Sequence, residues 1–188
     1  MPEAVPIDHA SCEMTDCRAV CDVLSPISSE VLHVINAAGR NIDGLIWNYG
    51  DEDVSRLLHD NITGAINVAR AIMMIRPAAG SSLILLSSCV PRLGVRGASI
   101  YAAVKAGVSG MIRSLAHDFA PDYRVNAIEL GYFAGGMIGD IDGERVEEIV
   151  NSIPLQRLGD AESIARTCEY LMRCTYATGG VIPLTGGL

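Results

Sequence analysis

The chain has 188 residues, 49% of them hydrophobic and 5% aromatic, with 14 Lys and Arg against 22 Asp and Glu for a formal charge of -8. That balance excludes a nucleic-acid surface, which needs a basic stripe to follow the phosphates. MPEAVPIDHA has no basic stretch leading into an apolar one, and no apolar run is long enough to cross a bilayer, so a cytoplasmic protein without membrane contact is expected.

Near the start, His9, Cys12, Cys17 and Cys21 fall close together and are residue types that bind zinc. Their spacing is irregular and includes no CxxC pair, so no metal is assigned and the six cysteines are expected to be reduced thiols. A helix over 16–24 would set Cys17 and Cys21 on one face. LHVINAAG, Leu32 to Gly39, reads as a buried strand over 32–37 that ends in a tight glycine turn. A long helix over 51–76 carries Asn61 and stops at Pro77. SSLILLSS reads as a buried strand over 82–88 that ends on Ser88 and opens into a loop with Pro91, Gly94 and Gly97. Ligand and catalytic groups collect at such carboxyl ends of parallel strands.

A helix over 100–119 follows and ends before Pro121; it carries Tyr101 and Lys105. A strand over 123–129, helices over 143–151 and 161–173, and a strand over 180–184 complete the chain. Apolar runs that alternate with longer helical stretches give an α/β fold, a parallel sheet with helices on both faces, and no linker or repeat divides the single domain 1–188.

Lys105 is the sole lysine of the chain; every other cation is arginine. An ammonium is a compact point charge, and four residues after Tyr101 on a helix it can lie near the phenol. A tyrosine titrates near ~10, and a neighbouring cation favours its phenolate, so the pair forms a general acid/base arrangement.

Taken together, Asn36-Ala37-Ala38-Gly39, Asn61 in DNITGAINV, Ser88 and Tyr101-x-x-x-Lys105 resemble, in order, the turn and catalytic residues of the short-chain dehydrogenase/reductase family. RVNAIELGY, IPLQRLGDAESIA and GGVIPLTGG resemble its later strands and closing helix. The resemblance implies a Rossmann-like, three-layer fold in which Ser88 binds a substrate carbonyl or hydroxyl, Tyr101 passes the proton, Lys105 lowers the tyrosine pKa and Asn61 supports a proton relay. It also implies a cofactor side formed by Asn36, Ala37, Ala38, Gly39, Lys105 and Gly131, and a pocket for a small-molecule substrate lined by Arg92, Tyr132, Phe133 and Met137. A homo-oligomer, dimer or tetramer, through helices 51–76 and 100–119 is the family's habit.

The family's first strand runs into a glycine-rich phosphate turn. No glycine precedes Gly39 here, and SCEMTDCRAV already resembles the third strand and the helix after it. By analogy the chain starts roughly fifty residues late and is N-terminally truncated, lacking the first β-α-β unit. The strand over 32–37 would then have a bare edge, to be covered by the segment from Ala4 to Met14 or by another subunit. The family's Pro-Gly after the sixth strand is Leu130-Gly131, without the threonine that usually follows. These departures favour an enzyme with no tightly bound cofactor that carries out isomerisation, dehydration or cyclisation. NAD(P)-dependent reduction of a carbonyl is the alternative, and a non-catalytic subunit of a full-length relative is a third.

Overall fold

Four apolar runs become the strands of one parallel sheet, ordered β1 (His33–Asn36), β2 (Ser82–Ser88), β3 (Arg124–Leu130) and β4 (Val181–Leu184). Residues 5–8, 12–135, 138 and 143–188 are described by this computed structural model. Side chains alternate across a strand, so the central runs are apolar throughout because both faces are covered. Leu83, Leu85, Val125 and Ala127 turn to one face, where they meet α1 (Cys17–Leu24), α3 (Gly64–Ile75) and α5 (Ser99–Phe119). Ile84 and Ile128 turn to the other and pack on Cys168 and Leu171 of α7 (Ala161–Arg173). Between the last two strands also lies α6 (Gly143–Ser152). The layered α/β architecture expected from the sequence is the one observed.

One buried cation fastens α7 to the sheet. Arg124 opens β3 at 8% exposure, and its guanidinium donates to the carbonyls of Leu171, Met172, Cys174 and Ala177. Leu171 and Met172 are among the acceptors a helix C-terminus leaves open, Cys174 caps the helix and Ala177 follows it, and a cation there also suits the helix dipole.

The expected helix over 51–76 is three pieces. α2 (Asp51–Leu58) and α3 are separated by a π turn, His59–Thr63. The Asn61 side-chain amide donates to the Leu57 carbonyl at 2.9 Å, the acceptor that a regular α-helix gives to the Asn61 backbone N–H. α3 ends where Arg76 turns left-handed at φ 49°, ahead of Pro77. The loop after β2 contains a short helix, α4 (Val90–Leu93), begun by Pro91 near its N-terminus and ended by Gly94 at φ 69°.

No strand forms over residues 12–15, where the resemblance to a third strand would place one; the Thr15 amide and hydroxyl both bond to the Glu13 carboxylate and close a turn. The described residues of the segment from Ala4 to Met14 do not pair with β1 either. Asn67 on α3 donates to the carbonyls of Met14 and Thr15, which holds the chain against α3, and Cys12 is buried in the same layer. Among the described residues β1 is an edge strand, with Ile35 exposed. His9 lies outside the described residues, and among the described helices none is long and apolar enough to cross a membrane.

Candidate active site

Ser88 ends β2, Tyr101 and Lys105 occupy the first turns of α5, and Asn61 sits in the π turn. All four side chains are buried. The Ser88 hydroxyl lies close enough to the Tyr101 phenol to lower its pKa, and its Oγ accepts the Val90 N–H at 3.2 Å. Ser87 bonds to the Lys105 carbonyl at 2.9 Å and to the Ser109 hydroxyl at 2.7 Å, which fixes α5 against the end of β2.

The Lys105 ammonium lies 5.7 Å from the centre of the Tyr101 ring and donates to the Leu86 carbonyl at 3.1 Å. Burial lowers its pKa to about 8, which leaves it largely protonated at neutral pH. Burial also pushes the Tyr101 phenol up; the neighbouring Ser88 hydroxyl pulls it down, and the nearby Cys89 and Asp43 push it up again. The balance differs from the expectation of a lowered tyrosine: in the protein alone desolvation is the larger effect. Tyr101 is therefore a phenol at neutral pH, ready to donate.

Gly39 closes the turn after β1 and meets this group. A Cβ there would stand 2.8 Å from Asn61 Oδ1 and 3.2 Å from Lys105 Nζ, so both groups reach the turn because glycine leaves room. The Asn61 amide gives its N–H bonds to the carbonyls of Arg40 and Leu57, at 2.9 Å each. Its Oδ1 is buried with no hydrogen-bond partner. A buried unpaired acceptor costs about 1–3 kcal/mol, which is the mark of a place meant for a hydroxyl or a water. Gly39→Ala should leave the fold intact, as judged by circular dichroism, while displacing Asn61 or Lys105 and lowering activity at least about 10-fold.

Of the other expected cofactor residues, Asn36 accepts the Ala38 N–H at 3.0 Å, so it shapes the turn itself. Ala38 and Gly39 line a cleft of about 300 Å³ together with Met14, Asn41 and the ion pair Arg40–Asp60, closed at 2.6 Å. Ala37 is exposed in the same turn. Gly131 serves packing: a Cβ would come 2.8 Å from the Thr185 Cα, so the end of β3 approaches the chain after β4 only without one. Gly131→Ala should cost about 1–3 kcal/mol, seen as a lower urea midpoint at unchanged slope.

Tyr132 and Phe133 line a smaller cleft, about 70 Å³, with Leu155, Arg157 and Thr185. Arg92 lines neither cleft; it pairs with Glu129 at 2.7 Å and donates to the Leu188 carbonyl at 2.8 Å. Met137 lies outside the described residues. Two residues escaped the sequence. The Tyr49 hydroxyl stands 2.9 Å from the Ile42 carbonyl and 3.0 Å from that of Gly97, and so staples the loop after β1 to the loop before α5. Asp43 places a carboxylate within electrostatic reach of Tyr101 and Tyr132. Neither carries a local motif, since both act across loops far apart in the chain.

The chain matches over residues 5–188 the family model described as enoyl-(acyl carrier protein) reductase. It is 33% identical to 3-oxoacyl-[acyl-carrier-protein] reductase of Bos taurus, over 96% of this chain and 78% of that protein. It is 30% identical to carbonyl reductase family member 4 of Danio rerio, over 95% of this chain and 76% of that protein. A short-chain dehydrogenase/reductase described as glucose/ribitol dehydrogenase, from Brucella melitensis, has the same fold, with a TM-score of 0.87 at 22% identity over 94% of this chain and 74% of that one. A blue fluorescent protein from a metagenomic library, solved in complex with NADPH, superposes with a TM-score of 0.85 at 26% identity, over 94% of this chain and 73% of that one.

Proposed function

This chain belongs to the short-chain dehydrogenase/reductase family of oxidoreductases, and from that premise we propose that it reduces the 3-oxo carbonyl of an acyl thioester, with NADPH as reductant and Tyr101 as proton donor. The carrying observation is the unpartnered Asn61 Oδ1 beside the Lys105 ammonium at the Gly39 turn. A ribose hydroxyl offers one donor and two acceptor sites, which this acceptor and this cation complement. Ala38, Gly39, Asn61 and Lys105 are the residues that would hold the nucleotide, and when bound it supplies a hydride to the carbonyl carbon.

Ser88 donates to the carbonyl oxygen and fixes its position next to the Tyr101 hydroxyl. Tyr101 delivers its proton to that oxygen, and Lys105 stabilises the phenolate left behind. Tyr132 and Phe133 line the smaller cleft and give it an apolar wall against which an acyl chain would lie. The expected reaction without hydride transfer gains no support from relatives whose names are those of reductases. A homo-oligomer is part of the proposal: Leu58, Ile66 and Met73 along α2 and α3, and the exposed small residues Ala103, Ala106, Gly107 and Gly110 of α5, form a face suited to helix pairing.

The test is loss of NADPH fluorescence in the presence of an acetoacetyl thioester, beside a calorimetric titration with NADPH alone. Binding with turnover is expected. A well-folded protein that neither binds millimolar NADPH nor consumes it, but exchanges the protons next to the carbonyl, would return the enzyme to cofactor-free acid/base chemistry.

A further inference from the structure

Where α1 packs on α3, on the side of the sheet away from α7, three sulfur atoms converge. Cys17 and Cys21 lie one helical turn apart on α1, and Met74 stands in the last turn of α3. The Met74 Sδ is 3.9 Å from the Cys17 Sγ and 4.0 Å from the Cys21 Sγ, and the Cys17 thiol also points to the Asn67 carbonyl at 3.8 Å. A metal held in a plane by three sulfurs at about 2.3 Å places those sulfurs about 4.0 Å apart. Each thiol thus already stands at coordination spacing from the thioether before any ion arrives.

Donor chemistry selects the ion. Thiolates and thioethers suit soft monovalent copper; zinc also takes thiolates but is held by four ligands in a structural site, and this set offers three. No group of three or more His, Cys, Asp and Glu among the described residues is placed to hold a metal, so the thioether is what completes this set. Access is open as well: Met74 is 65% exposed and both cysteines are only partly buried, whereas Cys12, Cys89 and Cys168 are enclosed in the core. A methionine so exposed contributes little to packing, which leaves its position over two thiols in want of another reason.

We propose that Cys17, Cys21 and Met74 form a binding site for one Cu(I) ion. Binding displaces two thiol protons and makes two thiolate bonds and one thioether bond; no electron is transferred. The ion ties α1 to α3, and because it binds the folded chain it raises the unfolding temperature as its concentration rises.

The experiment is an anaerobic titration of the reduced full chain with Cu(I) against bicinchoninate, which colours when it holds the ion. One equivalent should be withdrawn from the chelator, and X-ray absorption should show three sulfurs at about 2.3 Å. Cys174→Ser should change nothing, Met74→Ile should weaken binding about 10-fold or more, and the Cys17→Ser/Cys21→Ser double variant should abolish it. Failure to withdraw copper at one equivalent overturns the site, as does retention of full affinity by the double variant. Should the double variant not fold, Met74→Ile decides alone, since its exposed side chain is dispensable for folding and unchanged affinity there would rule out the three-sulfur site.

Discussion

Tyr101→Phe should lower kcat for carbonyl reduction by about 10²–10⁴-fold, with KM for the thioester close to that of the parent. The ring would stay in its buried slot beneath α2, among Leu57, Ala98 and Val104, because those contacts involve no oxygen. Ser88 keeps its bond from the Val90 N–H when the phenol is gone, so no buried group is stranded. The change in stability should therefore stay within about 1 kcal/mol, and a urea midpoint beside the kinetics separates lost chemistry from lost fold. The raised pKa sharpens the expectation: a phenol that keeps its proton at neutral pH is an acid for the reduction direction, and among the described residues no other hydroxyl is hydrogen-bonded to Ser88 to replace it. If Tyr101→Phe retained a tenth or more of the parent rate, the proton would come from elsewhere, and Ser88→Ala would become the informative variant.

The strands were legible because a run such as SSLILLSS, apolar on both sides of its pleat, can only lie inside a parallel sheet covered on both faces. Tyr101, Lys105 and Ser88 were legible for a related reason: helical spacing and a strand end are local facts, and both survive folding. What escaped depends on partners far away in the chain. The π turn arises because Asn61 shares its amide between Leu57, one turn back, and Arg40, which stands in another loop. That competition has no signature in DNITG. Cys17 and Cys21 could be placed on one helix face from sequence, but Met74, 53 residues beyond Cys21, reaches them only through the packing of α1 on α3. The direction of the Tyr101 shift was missed for the same cause, since spacing reports a neighbouring charge while desolvation is set by the three-dimensional surroundings.

Lys105→Met should make the protein more stable at neutral pH and less active. In the fold the ammonium is 6% exposed with one carbonyl partner, and its pKa falls from 10.5 to about 8. Below about pH 8 both folded and unfolded chains carry the proton, and the folded state bears the full cost of burying it. Between about 8 and about 10.5 the folded chain releases the proton while the unfolded chain still holds it, so stability rises with pH across that window. A difference of that size corresponds to about 3 kcal/mol. Methionine fills a similar volume without the charge, so the variant should exceed the parent by about 2–3 kcal/mol near pH 7, and the gap should close as the pH passes about 10. Urea unfolding at the two ends of the window measures both quantities. A variant less stable than the parent by the same margin at both ends would mean that the ammonium is fully compensated in the fold, and its place beside Asn61 Oδ1 would then be structural. Under the proposed mechanism the expected result ties the cost to the chemistry: the one lysine, buried and with no carboxylate partner among the described residues, would supply its charge when Tyr101 becomes a phenolate.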